Sequence, residues 1–237
     1  MKSYPANLTD SQWQCIEMIL NDKRKRKVCL RVVLNGSLYL VRTGCQWRML
    51  PEGFGCWVTV QYYFRKWMLT GIWRRVQAKL RRMVRVKSHC KACPSLGIID
   101  SQSVKNSEWG ILDKGFDGNK KINGRKRHVV VDMMGLLMSV AVTEANVHDS
   151  VAAEGVINGM KGVFPRLKKI LGDGGYAGDR LVKLAQEHLK ADFEVVTRGD
   201  ETNFKVIPKR WVVDRSIAWF TWFRRLSKDY EANMQSS

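Results

Sequence analysis

From about Ser95 the chain changes texture, from helically spaced apolar residues to short apolar runs. That switch constrains the fold more than any other feature. Leu96-Gly97-Ile98-Ile99 runs into Asp100, and Leu167-Lys168-Lys169-Ile170-Leu171-Gly172 runs into Asp173. His128–Asp132 and Leu136–Val142 read as two more strands, with Met133-Met134-Gly135 as the hairpin between them. Ser150 to Gly159 and Asp179 to Leu189 read as helices, Phe193–Thr197 as a fifth strand, and a last helix begins near Arg210.

Three strands, helix, strand, helix, strand, helix is the order of a ribonuclease-H-like α/β core: a mixed five-stranded sheet with flanking helices. In that order Asp100 and Asp173 lie on adjacent strands. Asp214, in Trp211-Val212-Val213-Asp214-Arg215-Ser216, approaches from the last helix. Carboxylates at strand ends and on a following helix gather hard oxygen ligands for divalent cations. An aspartate after a strand is also a common cap or turn residue, so three acids among 22 carry little alone.

Before Ser95 the pattern is helical. Thr9-Asp10-Ser11-Gln12 has the form of a capping box ahead of Trp13, Ile16, Ile19 and Leu20. A second helix covers about Leu30 to Val41 and stops at Gly44. Cys45–Pro51 is a connector. Thr59 opens a third helix that ends at Gly71, and a fourth runs from Ile72 through Leu80 to Val84. Short helices with basic edges make a helix-turn-helix-like module. The aromatics Trp47, Trp57, Tyr62, Tyr63, Phe64 and Trp67 read mainly as its core.

The charge is uneven. Residues 1–94 hold 19 Lys/Arg against 4 Asp/Glu, a net of +15, and residues 95–237 hold 22 against 18. The first part is built to meet a polyanion. Lys23, Arg24, Lys25, Arg26 and Lys27 form one run, and Arg74, Arg75, Arg81 and Arg82 edge the fourth helix. Lys120, Lys121, Arg125, Lys126 and Arg127 sit between strands near the presumed metal edge, where they would hold a phosphate backbone. No apolar stretch approaches the ~20 residues a spanning helix needs, and Met1–Pro5 lacks the apolar core of a signal peptide. The expectation from charge is a nucleic acid, DNA or RNA, as partner and no membrane.

All six cysteines lie in the first part. Cys90 and Cys93 form one CxxC with no second pair, so reduced thiols are expected rather than a zinc site. His128 falls in a strand, as a packed histidine does, and His148 precedes a helix as a cap.

Longer blocks add a resemblance. Leu8-Thr9-Asp10-Ser11-Gln12-Trp13, Arg42–Pro51, Ile99-Asp100-Ser101-Gln102-Ser103-Val104-Lys105, Gly124–His128, Gly172-Asp173-Gly174-Gly175-Tyr176 and Arg210–Arg215 follow in order along the chain. Together with Arg224-Arg225-Leu226, they are similar to bacterial DDE-class insertion-sequence transposases of the insertion-sequence-5 family. The resemblance implies a DNA-binding domain over 1–94, a catalytic domain over 95–237, and a homodimer that holds two element ends and a target DNA. It also implies cutting and joining dependent on Mg²⁺ or Mn²⁺, with two ions held by Asp100, Asp173 and Asp214. Asp214 falls where the family normally has glutamate, a side chain longer by one carbon–carbon bond, about 1.5 Å. Arg210 fits the basic residue beside that acid, and the chain ends sooner past Lys228–Glu231 than the family pattern. Two other readings stay open: a catalytically impaired relic that only binds DNA, and a ribonuclease-H-like nuclease acting on hybrids or junctions.

Overall fold

Helices with buried seams build the first of two compact units, residues 1–84 with 222–227. In the computed structural model the described residues are 4–20, 25, 27–107, 113–196 and 211–231. Helix α1 (Asp10–Leu20) opens on a reciprocal cap. The Thr9 amide donates to Gln12 Oε1 at 2.9 Å, and the Gln12 amide donates to Thr9 Oγ1 at 3.3 Å. Helix α2 (Leu30–Thr43) ends at Gly44, whose φ of 69° is the left-handed stop. Helix α3 (Trp57–Leu69) starts two residues before Thr59, because extended Cys56 takes the cap position. Thr70 and Gly71 then turn the chain into α4 (Ile72–Lys87).

Val33, Leu34, Leu40, Val60, Trp67 and Val76 centre this unit's core. Trp47, Phe64, Trp73, Trp67 and Tyr63 form a chain of ring contacts 5.4–5.6 Å apart. Most of the aromatics are therefore core, as their spacing indicates; Tyr62 is the exception, at 59% exposed.

The second unit, residues 85–221 with 228–237, is built on a mixed sheet. Its strands are β1 (Leu96–Lys105), β2 (Gly115–Asp117), β3 (Ile122–Asp132), β4 (Leu137–Glu144), β5 (Lys169–Gly172) and β6 (Asp192–Val195). β4, β3 and β1 are antiparallel neighbours, and β1, β5 and β6 continue in parallel. That is the ribonuclease-H-like order.

β2 is a sixth strand that the sequence did not signal. It is three residues long and pairs the start of β3 through Gly115–Gly124 and Asp117–Ile122. β1 is also longer than the apolar run suggests. It passes through Asp100 to Lys105, because polar Ser101, Gln102 and Ser103 keep their pairing with β3.

Residues alternate across β1. Ile99 joins Val130, Val156, Ile157, Leu181 and Ala185 beneath α5 (Asp149–Asn158) and α6 (Asp179–Leu189). Ile98 joins Val129, Val131, Val212 and Val213 beneath α7 (Trp211–Phe220). The β3–β4 hairpin closes on Asp132, whose Oδ1 accepts from the Met134 and Leu136 amides at 2.9 and 3.0 Å. Buried Arg85 pairs with its Oδ2.

Candidate active site

β1 and β5 pair only over Leu96–Ile98 and Lys169–Leu171, then separate. Asp100 lies just past that pairing on β1, and Asp173 lies just past the end of β5. This is the carboxyl-end crevice where open α/β sheets place ligands. Gly172 makes the turn into Asp173 possible, since a Cβ there would meet Ile99, Tyr176 and Phe193 at 3.1–3.2 Å. Asp173 then caps a 3₁₀ turn, Gly174–Tyr176, by accepting from the Gly175 amide at 3.0 Å. Asp214 comes from the first turn of α7, which Val212 and Val213 seat on the sheet. Ser216 Oγ donating to Gly135 O at 2.8 Å, and an Arg215 guanidinium nitrogen donating to Met134 O at 3.0 Å, hold α7 against the β3–β4 hairpin.

These three elements bring the aspartates into one electrostatic group. Burial is the largest cause that pushes the Asp100 carboxyl from its ordinary 3.8 up to about 7. The Ser101 amide, donating to Oδ1 at 2.6 Å, opposes the rise. A hydrogen bond with Asp214 and the charges of Asp173 and Asp214 add to it. No cationic side chain of the described residues figures among those influences. Among the described residues, no three His, Cys, Asp or Glu side chains form a group that could hold a metal ion as placed. Carboxylates that raise one another in this way are nonetheless the donor chemistry that a hard divalent ion suits.

The opposite face of the same strands carries a polar network that the sequence reading did not find. Lys126 Nζ lies 3.0 Å from Asp149 Oδ1 and 3.9 Å from Asp117 Oδ2, and donates to Val147 O at 3.1 Å. Ser101 Oγ donates to Asp149 Oδ2 at 3.3 Å, and Ser103 Oγ donates to Asp117 at 2.5 Å. Burial raises the Asp117 carboxyl, but the bonds from Ser103, Lys120 N and Asn119 N, with the Lys126 charge, outweigh it and leave it below the usual range. His128 packs here, 3.8 Å from Asp149 Oδ1, with Nε2 3.0 Å from Thr143 Oγ1. Burial lowers it from 6.5 to about 4, with Asp149 opposing and Lys126 and Lys120 assisting.

Burial, then the charges of Asp149 and Asp100, push the Tyr176 phenol above its ordinary range. Asp149 thus ties the Asp100-bearing strand, through Ser101, to the turn after Asp173, where its Oδ2 would lie 3.2 Å from a Cβ at Gly175. His148 caps α5 by accepting from the Ser150 amide, as its position suggests. Asp149 was visible in the sequence only as the residue beside that cap.

The basic candidates divide by exposure. Lys25 and Lys27 are exposed; Lys23, Arg24, Arg26 and Arg210 lie outside the described residues. Arg74, Arg75 and Arg82 are exposed on α4. Arg81 is buried, with Nη1 donating to Gln77 Oε1 at 3.0 Å. Lys120 and Lys121 are exposed on the turn before β3, and Lys120 Nζ donates to Ser101 O at 3.0 Å.

Arg125, Lys126 and Arg127 do not sit in a loop. They lie within β3 at 0%, 7% and 6% exposure, because β1 and β4 flank them and buried acids neutralise them. Arg125 pairs with equally buried Asp229 at 3.2 Å. Burial lowers the Arg127 guanidinium, with Asp229 opposing. These three, and Arg81, are withdrawn from the exposed phosphate-holding role the sequence suggested.

Strand order and a carboxylate cluster at the parallel edge define a ribonuclease-H-like α/β core of the kind that handles phosphodiesters. Residues 91–234 match the family described as "Transposase DDE domain", and residues 8–77 match "Putative transposase of IS4/5 family". The chain belongs to the DDE transposases of insertion sequences.

Two curated relatives come from Burkholderia cepacia. "Insertion element IS402 uncharacterized 16.2 kDa protein" is 30% identical over 108 residues, spanning 41% of this chain and 72% of that protein. "Putative transposase for insertion sequence element IS402" is 29% identical over 142 residues, spanning 56% of this chain and 64% of that protein. The chain therefore spans less than two thirds of the second relative. A piggyBac transposase synaptic complex with hairpin DNA is similar at 13% identity and a TM-score of 0.35, covering 81% of this chain and 41% of that one. At that score the likeness adds nothing to the strand order. No helix among the described residues is long and apolar enough to cross a membrane.

Proposed function

We propose that this chain cuts and joins DNA at the ends of an insertion sequence, with Asp100, Asp173 and Asp214 as its catalytic and metal-holding carboxylates. One observation carries the reading: β1, the turn after β5 and α7 converge so that Asp214 and Asp173 both act on the buried Asp100 carboxyl and raise it. Residues 95–237 are read as the catalytic domain and residues 1–94 as the part that grips the terminal inverted repeats. Exposed Lys25, Lys27, Arg74, Arg75 and Arg82 would lie on phosphates. A homodimer on double-stranded DNA and a cytoplasmic, nucleoid-associated location complete the proposal.

The ions would be Mg²⁺ or Mn²⁺, two of them, held by the three aspartates with water filling the remaining positions. When bound, such ions neutralise phosphate charge and make an attacking water or 3′-hydroxyl more acidic. The chain's own residues set the stage. The Ser101 amide orients the Asp100 carboxyl, the Gly175 amide orients Asp173, and the α7 contacts to the β3–β4 hairpin hold Asp214 in range. Water at the element end would give a free 3′-hydroxyl. That hydroxyl would then attack the target phosphodiester, with no covalent bond to the protein.

The test is nicking of an end-containing duplex in Mg²⁺ or Mn²⁺. Asp100→Asn should lose cleavage and keep DNA affinity; intact cleavage would remove Asp100 from the site. Binding without nicking in either metal selects the DNA-binding relic. Rescue by Asp214→Glu would then identify the short third carboxylate as the defect. Preferential cleavage of RNA–DNA hybrids or junctions would select the nuclease.

A further inference from the structure

The end of β1, strand β2 and the start of β3 enclose an open groove of about 390 Å³, lined by Lys105, Asn106, Ser107, Lys114, Phe116, Lys121 and Asn123. Three lysines line it with no carboxylate among them, and no ion pair engages any of the three within the described residues. Phe116 stands in this cationic rim at 57% exposure, cross-strand from Asn123. Both amide atoms of Asn106 are buried behind the lining, with no hydrogen-bond partner among the described residues.

Lys121 adds an independent sign. Its φ of 53° is left-handed, a conformation that suits glycine or asparagine and strains a lysine. Glycine at that turn would relieve the strain and remove the charge together.

A duplex backbone asks only for cations and hydrogen-bond donors. An exposed aromatic ring among lysines is complemented by an unpaired base, which offers a flat face beside a phosphate. We propose that this groove binds an unpaired stretch of DNA strand, with phosphates on Lys105, Lys114 and Lys121 and one base stacked on Phe116. The proposal rests on the reading that the chain acts on DNA and adds where a strand leaving the active site is held. Lys105 lies five residues beyond Asp100 on the same strand, about 17 Å along it. A few nucleotides span that distance.

Binding is measured with the full chain in EDTA, so that no catalysis enters, against a short polythymidylate and a blunt duplex of equal length. Phe116→Ala should weaken single-strand binding about tenfold and leave duplex binding within about twofold. The ring is exposed, so melting should hardly move. Lys121→Gly should keep or raise the melting temperature and lower the salt slope of single-strand binding by about 0.7.

Unchanged single-strand affinity in Phe116→Ala, or an equal loss toward duplex, overturns the proposal. So does an equal loss toward heparin, which carries charge without bases. An acidic protein segment that displaces the oligonucleotide only when Phe116 is intact would assign the groove to a peptide and overturn it as well. None of these readouts involves strand cleavage, so the groove and the catalytic reading stand or fall separately.

Discussion

At Asp100 the folded protein keeps a proton that the unfolded chain gives up. Its carboxyl is raised from 3.8 to about 7, so its contribution to stability is full below 3.8 and disappears as pH rises through about 7. Above that pH, crowded carboxylates strain the edge of the sheet and a divalent ion relieves them. Mg²⁺ or Mn²⁺ at about tenfold its Kd should therefore raise the melting temperature by roughly 3–5 °C at pH 8. The rise should be smaller at pH 5, where protons compete, and much reduced in Asp100→Asn. A shift equal in wild type and variant at pH 8 would count against this site.

His128 titrates the other way. It is lowered from 6.5 to about 4, so stability is full above 6.5 and falls as pH drops toward 4, by up to about 3 kcal/mol. Because the two groups oppose one another between pH 4 and 6.5, each is read as wild type minus variant in urea unfolding. His128→Gln should flatten the acid loss, and a slope identical to wild type would mean that His128 charges freely in the fold.

Among the elements, β3 carries the greatest demand. Flanked by β1 on one edge and by β2 and β4 on the other, it pairs along its whole length and is buried from Gly124 to Asp132. Lysine and arginine in its middle are tolerated because Asp149, Asp117 and Asp229 arrive from other segments to neutralise them. Paired buried charges add little net stability, but removing one partner strands the other. Gly124 shows the tightness of the strand, since a Cβ there would come 1.9 Å from the Val104 carbonyl oxygen. Gly124→Ala should force β1 and β3 apart and lower stability by about 3 kcal/mol or more, read as the urea midpoint. A midpoint within error of wild type would show that the pairing relaxes more easily than its geometry suggests.

On the scale of the molecule, net charge separates into two populations that the sequence could not sort. The chain carries +19 formally, yet Arg81, Arg125, Lys126 and Arg127 are spent inside the protein. Charge that reaches DNA must come from exposed residues such as Arg74, Arg75 and Arg82. Replacing those three by glutamine should weaken duplex binding and lower its log–log salt slope by about 2–3, with melting nearly unchanged. Replacing Arg125 should instead lower stability. An unchanged salt slope in the triple variant would remove the exposed edge of α4 from the DNA interface.

Local chemistry was legible in the sequence. The Thr9–Gln12 cap, the Gly44 stop, the Asp179–Leu189 helix and the β3–β4 hairpin at Met133–Gly135 depend on neighbours within a few residues, and one-dimensional patterns record those. Asp100, Asp173 and Asp214 could be nominated because strand ends and helix starts are visible in the same way. What only the tertiary structure decided is which charges face water. Burial of Lys126 is set by Asp117 and Asp149, and burial of Arg125 by Asp229, 104 positions away in the chain. The convergence of Asp214 on Asp100 likewise depends on how Val212 and Val213 seat α7. Coulomb interaction and desolvation follow distance in space, and distance along the chain does not encode it.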